Sequence, residues 1–164
     1  MEEFQPKGKK KNKFKMINKI PIKIKRLHPD AIIPQYAHPG DAGMDVYSTE
    51  DAIIPPQKRY LVSTGLSFEI PIGFEIQVRP KSGLALKSGL TIPNSPGTLD
   101  SGYRGELKVI ILNTSSENYE VKKGEKIAQI ILARYEQADV QEVQELSDTT
   151  RGENGFGSTG LTSA

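Results

Sequence analysis

Residues 91–113 read TIPNSPGTLDSGYRGELKVIILN, and two kinds of chain meet inside that stretch. Pro93, Pro96, Gly97 and Gly102 all fall before Tyr103, so Thr91 to Gly105 must turn tightly and needs special backbone angles. Glu106 to Asn113 is dense in Val, Ile and Leu, with polar residues near its ends. That composition predicts a strand buried on both faces or set against another subunit. Asp100 sits in the turn between the two halves, and Tyr103 follows three residues later. A carboxylate on a glycine-rich loop held by a stiff strand is well placed to face a ligand.

On either side of this stretch the chain reads as short strands. Ile20, Ile22 and Ile24 alternate with Pro21, Lys23 and Lys25, the period of a strand with one solvated face. Met44 to Tyr47, Ala52 to Ile54, and Arg59 to Ser63 follow, separated by turn residues. Leu66 to Ile70 and Phe74 to Val78 flank Pro71-Ile72-Gly73 and are expected to form a hairpin. Thr91-Ile92, Leu107 to Leu112, Tyr119 to Val121 and Ile127 to Tyr135 complete the set, and only Ser82 to Lys87 hints at a helical turn. Regular short strands punctuated by Gly and Pro predict an all-β sandwich or barrel.

Composition narrows the function classes. The chain has 164 residues, 36% hydrophobic and 26% charged, enough for one domain with a real core. Cysteine is absent, which excludes disulfides and thiolate metal sites. Two histidines, His28 and His38, are too few for a zinc centre. The apolar run around Ile130 to Ala133 is too short to span a bilayer. No apolar segment of signal-peptide type follows the basic N-terminus, so a cytoplasmic or otherwise intracellular location without a membrane partner is expected.

The net charge of +2 hides an asymmetry. Residues 1–26 carry ten Lys or Arg against Glu2 and Glu3, a balance of +8; the remainder carries 12 basic and 18 acidic side chains, a balance of −6. Residues 1–18 lack apolar periodicity and read as a disordered basic tail. Such a tail is either a solvated extension or an arm making weak contact with nucleic acid or an acidic surface. The body is expected over 19–147. A glycine-rich arm follows over 148–164, carrying Arg151 and Phe156 among small and hydroxyl residues. Such an arm can wrap an anion and lay a ring over a flat ligand, or it can simply be a loose terminus.

Five stretches stand out in order: AGMDVYS (42–48), RPKSGLAL (79–86), NSPGTLDSGYRGE (94–106), GEKIAQI (124–130) and RGENGFGSTG (151–160). Each is weak alone. Together, in this order and spacing, they resemble the five motifs of the trimeric dUTPases, and the resemblance runs from about Ile20 to Gly160.

The resemblance implies a jelly-roll-like β-barrel assembling as a homotrimer, with dUTP as substrate and Mg²⁺ as cofactor. It implies that Asp100 activates the water that attacks the α-phosphorus, although an Asp in a turn can also act as a cap. Tyr103 would pack against the deoxyribose, and Asn94 with Gly97, Thr98 and Leu99 would read the uracil edge. Lys108 is assigned to substrate binding as well. Ser82, Gly83 and Lys81 match the phosphate-binding second motif, where an N-cap role for Ser82 is the alternative. Lys81 stands where the family more often has arginine, keeping the charge without the bidentate fork. Gln129 matches a glutamine that reaches the α-phosphate. Asp45 matches the aspartate that anchors the waters of Mg²⁺. Arg151, Phe156, Gly157, Ser158 and Thr159 would form the closing arm, stacking on uracil and gripping the outer phosphates.

Two other readings fit parts of the chain. One is a nucleotide enzyme related to the dCTP deaminases. The other is a structural or binding β-trimer with a basic arm, which would have no use for Asp100.

Overall fold

The computed structural model describes residues 18–155. The tail over 1–17 and Phe156, Gly157, Ser158 and Thr159 of the arm lie outside the described residues. Ten strands and one short helix follow in order: β1 Lys23–Arg26, β2 Gly43–Tyr47, β3 Ala52–Ile54, β4 Arg59–Glu69, β5 Phe74–Arg79, α1 Ser82–Ser88, β6 Leu90–Thr91, β7 Gly97–Leu99, β8 Glu106–Asn113, β9 Tyr119–Val121 and β10 Lys126–Arg134. They form two four-stranded sheets, β1-β4-β8-β6 and β2-β10-β5-β7, with β3 and β9 as a separate pair. Every pairing is antiparallel. The all-β expectation holds.

The two large sheets share one core. Val62 and Leu66 from β4 and Leu107, Val109 and Ile111 from β8 meet Val46, Ile76 and Ile130 from the second sheet in a single buried cluster. Each fully buried aliphatic side chain of this kind stabilises the fold by about 1.5–3 kcal/mol. The alternation in β8 is strict: Leu107, Val109, Ile111 and Asn113 are buried, while Lys108 is exposed and Glu106, Ile110 and Leu112 are half-buried. Within one chain, then, β8 buries one face and not two.

Two sequence expectations change. Arg59 to Ser63 and Leu66 to Ile70 belong to one strand, β4, which passes through a register shift between Ser63 and Ser67. Gly65 makes that shift possible: its φ is +66°, and a Cβ there would lie 2.7 Å from Cβ of His28. The Gly65 amide donates to Glu106 Oε1 at 2.8 Å, so the irregular backbone remains satisfied.

The expected hairpin between Leu66–Ile70 and Phe74–Val78 does not form. Pro71-Ile72-Gly73 is a turn, with the Phe74 amide donating to the Pro71 carbonyl at 3.2 Å. However, it carries the chain from the β4 sheet to the β5 sheet. Ile70 dives into the core at 3% exposure, so the chain crosses between layers instead of folding back beside β4.

The helix α1 is longer than the expected turn and ends on Gly89 in the left-handed region, whose amide donates to the Leu84 carbonyl. Its N-cap is Lys81, without a side-chain cap bond, so Ser82 is the first helical residue and not the cap. After Tyr135 the chain leaves the sheets, and residues 136–155 are exposed throughout. Among the described residues no helix is long and apolar enough to cross a membrane.

Candidate active site

The turn-rich half of residues 91–113 opens an open cavity of about 440 Å³ against the strand-forming half. Its wall includes Asn94, Gly97, Thr98, Leu99, Asp100, Tyr103 and Lys108, every one a sequence-predicted site residue. Val78, Ile92, Leu61 and Ile110 supply an apolar floor, so the cavity pairs flat apolar surface with a few polar groups, as ligand sites do.

Each wall residue has a local cause. Gly97 to Leu99 form β7, the edge strand paired with β5 through Val78↔Gly97, Gln77↔Thr98 and Ile76↔Leu99. An edge strand leaves alternate main-chain N–H and C=O groups without a strand partner, and here that edge adjoins the cavity. Asn94 lies over Gly97, where an added Cβ would stand 3.1 Å from its Nδ2. The turn from Asp100 to Tyr103 is closed by the Tyr103 amide on the Asp100 carbonyl at 3.1 Å. Arg104 ties it further, donating from Nη1 to the carbonyls of Ser101 at 2.6 Å and Tyr103 at 2.9 Å. The Asp100 carboxylate itself makes no hydrogen bond to a described residue, so it faces the cavity uncommitted and does not cap its turn.

A second polar group lies on the outer face of the β2-β10-β5 sheet. Asp45, Gln129 and Arg79 occupy one row across it. Both carboxylate oxygens of Asp45 are engaged, one by Lys81 and the other by Lys126 at 2.9 Å. Burial alone would raise the Asp45 carboxyl, but the two lysine hydrogen bonds outweigh it and hold the group below its ordinary value. Lys126 is correspondingly raised by its bond to Asp45. Gln129 donates from Nε2 to the Pro80 carbonyl at 2.9 Å, fastening β10 to the turn that leads into α1. Gly43 gives it room, since a Cβ there would lie 2.6 Å from Gln129 Oε1.

Lys81, Ser82 and Gly83 thus stand beside Asp45 and Gln129 at the start of α1, where Ser82 and Gly83 are exposed. None of these lines the first cavity. Arg151 is exposed on the arm, its Nε donating to the Asn154 carbonyl at 2.8 Å, and does not line the cavity either. A single chain therefore holds two separate polar groups: the cavity with Asn94, Asp100 and Tyr103, and a basic row in which Arg79, Lys81 and Lys126 surround Asp45 and Gln129.

Sequence reasoning missed Lys126 and Glu106. Glu106 lines the cavity, accepts the Gly65 amide and pairs with Lys108 at 3.5 Å. A clue to Glu106 existed in its period-two relation to Lys108, which puts both on one strand face. Lys126 had no such clue. Three residues from Gln129, it would face the opposite way in a regular strand, and only the irregularity between Lys126 and Ala128 turns both outward.

Residues 29–160 match the family model described as dUTPase. Over 139 residues the chain is 55% identical to the deoxyuridine 5'-triphosphate nucleotidohydrolase of Nautilia profundicola, covering 85% of this chain and 98% of that protein. Over 145 residues it is 56% identical to the protein of the same description from Zymomonas mobilis, covering 87% and 99%. Its structure is similar to that of a Staphylococcus bacteriophage 80alpha dUTPase with dUPNHPP, with a TM-score of 0.80 at 28% identity, covering 86% of this chain and 99% of that one. These similarities place the chain among the nucleotide hydrolases. More particularly, the chain belongs to the dUTPase family.

Proposed function

We propose that the chain hydrolyses dUTP to dUMP and pyrophosphate, lowering dUTP and supplying dUMP for thymidylate synthesis. The observation that carries this reading is the cavity itself, which gathers Asn94, the β7 edge, Asp100 and Tyr103 around one space. The β7 main chain and the Asn94 amide can pair with a uracil edge, and on this reading the β7 turn would refuse a 5-methyl group. The Tyr103 ring fills the position of a 2′-hydroxyl, so a ribonucleotide would clash.

Asp100, whose carboxylate makes no hydrogen bond to a described residue, takes the proton of a water aimed at the α-phosphorus. A new P–O bond forms from that water, the bond from the α-phosphorus to the bridging oxygen breaks, and pyrophosphate leaves with the electron pair. Lys108 adds a cation to the cavity wall. Lys81, Ser82, Gly83 and Gln129 receive the phosphates, and Arg151 with Phe156, Gly157, Ser158 and Thr159 closes over the nucleotide and excludes bulk water.

Among the described residues no three His, Cys, Asp or Glu side chains group as a metal cage. Asp45 is the carboxylate that would hold Mg²⁺, carried on the phosphates, through water. Such a metal would supply charge neutralisation to the triphosphate. The triphosphate would in turn offer Lys81 and Lys126 new anionic partners as Asp45 is shared.

The two separate polar groups support a homotrimer in which the basic row of one chain completes the cavity of another. Half-buried Leu112 on the outer face of the β4-β8 sheet, next to the Leu61 and Ile110 floor of the cavity, gives such an assembly apolar surface to bury.

The test is pyrophosphate release from dUTP, dCTP, dTTP and UTP, for wild type and Asp100→Asn. Release from dUTP alone, falling by about a thousandfold or more in the variant, is expected for loss of a general base within an intact site. Retained turnover in Asp100→Asn would refute the role of this carboxylate, and ammonia from dCTP would move the chain to the deaminase relatives.

A further inference from the structure

Tyr103 is 48% exposed and stands on a turn, a poor place for a ring that must exclude one hydroxyl group. A side chain so free to swing discriminates only if something fixes its pose. Two contacts do so. The Tyr103 hydroxyl donates to the Glu106 carbonyl at 3.1 Å, which draws the ring back over its own turn. In that pose the ring passes directly over Gly105. A Cβ built on Gly105 would stand 2.5 Å from Cζ and 2.9 Å from Cε2 of Tyr103, and closer still to Oη. No side chain of any size coexists with the ring there.

We infer that Gly105 is a specificity-determining position: its missing side chain is the seat that holds the Tyr103 ring where the sugar is read. The inference rests on the reading of Tyr103 as the sugar contact and adds the residue that positions it. Gly105 is not among the glycines whose φ is positive, so the backbone does not require glycine at this point. It is also exposed, so no core packing requires it. The demand comes from the ring alone. A methyl group at Gly105 would therefore leave the fold intact, because an exposed ring can swing aside at little cost, and would break the pose.

The experiment compares kcat/KM for dUTP, UTP and dCTP in wild type, Gly105→Ala and Tyr103→Ala, with thermal unfolding of each. In Gly105→Ala the melting temperature should stay close to wild type and dCTP should still be refused. The ratio of dUTP to UTP should fall by roughly tenfold or more, the scale on which filling or emptying a pocket discriminates. Tyr103→Ala should lose the same ratio.

If Tyr103→Ala keeps the ratio, the ring is not the sugar contact and the underlying reading fails. If Tyr103→Ala loses it and Gly105→Ala keeps it, the reading stands and the inference about Gly105 is overturned. An unfolded Gly105→Ala would also overturn it, since the glycine would then serve the backbone and not the ring.

Discussion

Asn113 closes β8 with a side chain that is wholly buried and fully used. Its Nδ2 donates to the carbonyls of Ile54 at 2.8 Å and Glu117 at 2.7 Å, and its Oδ1 accepts the Ser115 amide at 2.9 Å and hydroxyl at 2.7 Å. One amide therefore joins β8 to β3 and to the turn that precedes β9. Asn113→Ala would strand the Ile54 carbonyl without solvent, and the expected loss is about 2–4 kcal/mol of stability. Urea unfolding should show a lower midpoint at unchanged m-value; an unchanged midpoint would mean that the neighbouring loop relaxes to let water in. In the sequence this residue is only a polar end to an apolar strand. Nothing in its neighbours says that it points inward, because that depends on which face of β8 the second sheet covers. Asp100 was more legible: a carboxylate among glycines has few apolar partners to hide it, and it does face the cavity.

At the scale of elements, local turn chemistry was readable and sheet membership was not. Pro71-Ile72-Gly73 turns the chain as expected, yet β4 and β5 go to different sheets. An alternating strand buries one face equally well in either layer, so periodicity cannot choose between them. The irregularity in β10 is a second case. It places buried Ile127 and Ala128 side by side and turns Lys126 outward beside Asp45. Its consequence can be measured in the carboxyl carbon signal of Asp45. The folded value lies below the ordinary 3.8, so the ionised form is the one the fold favours. The associated stability is complete above the ordinary value and disappears as pH falls through the folded one. In Lys126→Met the Asp45 midpoint should rise towards 3.8, because one of its two ammonium partners is gone. A midpoint that does not move would show that Lys81 alone sets the charge of Asp45.

For the whole molecule the telling fact is the separation of the cavity from the basic row. The five motifs were legible as a set because each keeps its spacing along the chain. How they meet could not be read, since one chain brings together only the third motif in one place and parts of the first, second and fourth in another. If sites are shared between chains, two inactive variants should repair each other. One carries Asp100→Asn and is expected to be dead in its cavity; the other carries Ser82→Ala with Gln129→Ala and is expected to be dead in its basic row. On the proposed assembly, each alone would form trimers without a complete site. Co-expressed in equal amounts, they assemble mixed trimers in which an intact cavity meets an intact basic row at about a quarter of the interfaces, the random expectation for a cyclic trimer. Activity on dUTP should recover to about that fraction of wild type in the mixed preparation, and not on mixing trimers that cannot exchange chains. If each chain served its own cavity, no mixture could restore a site, and the co-expressed protein would be as inactive as its parents.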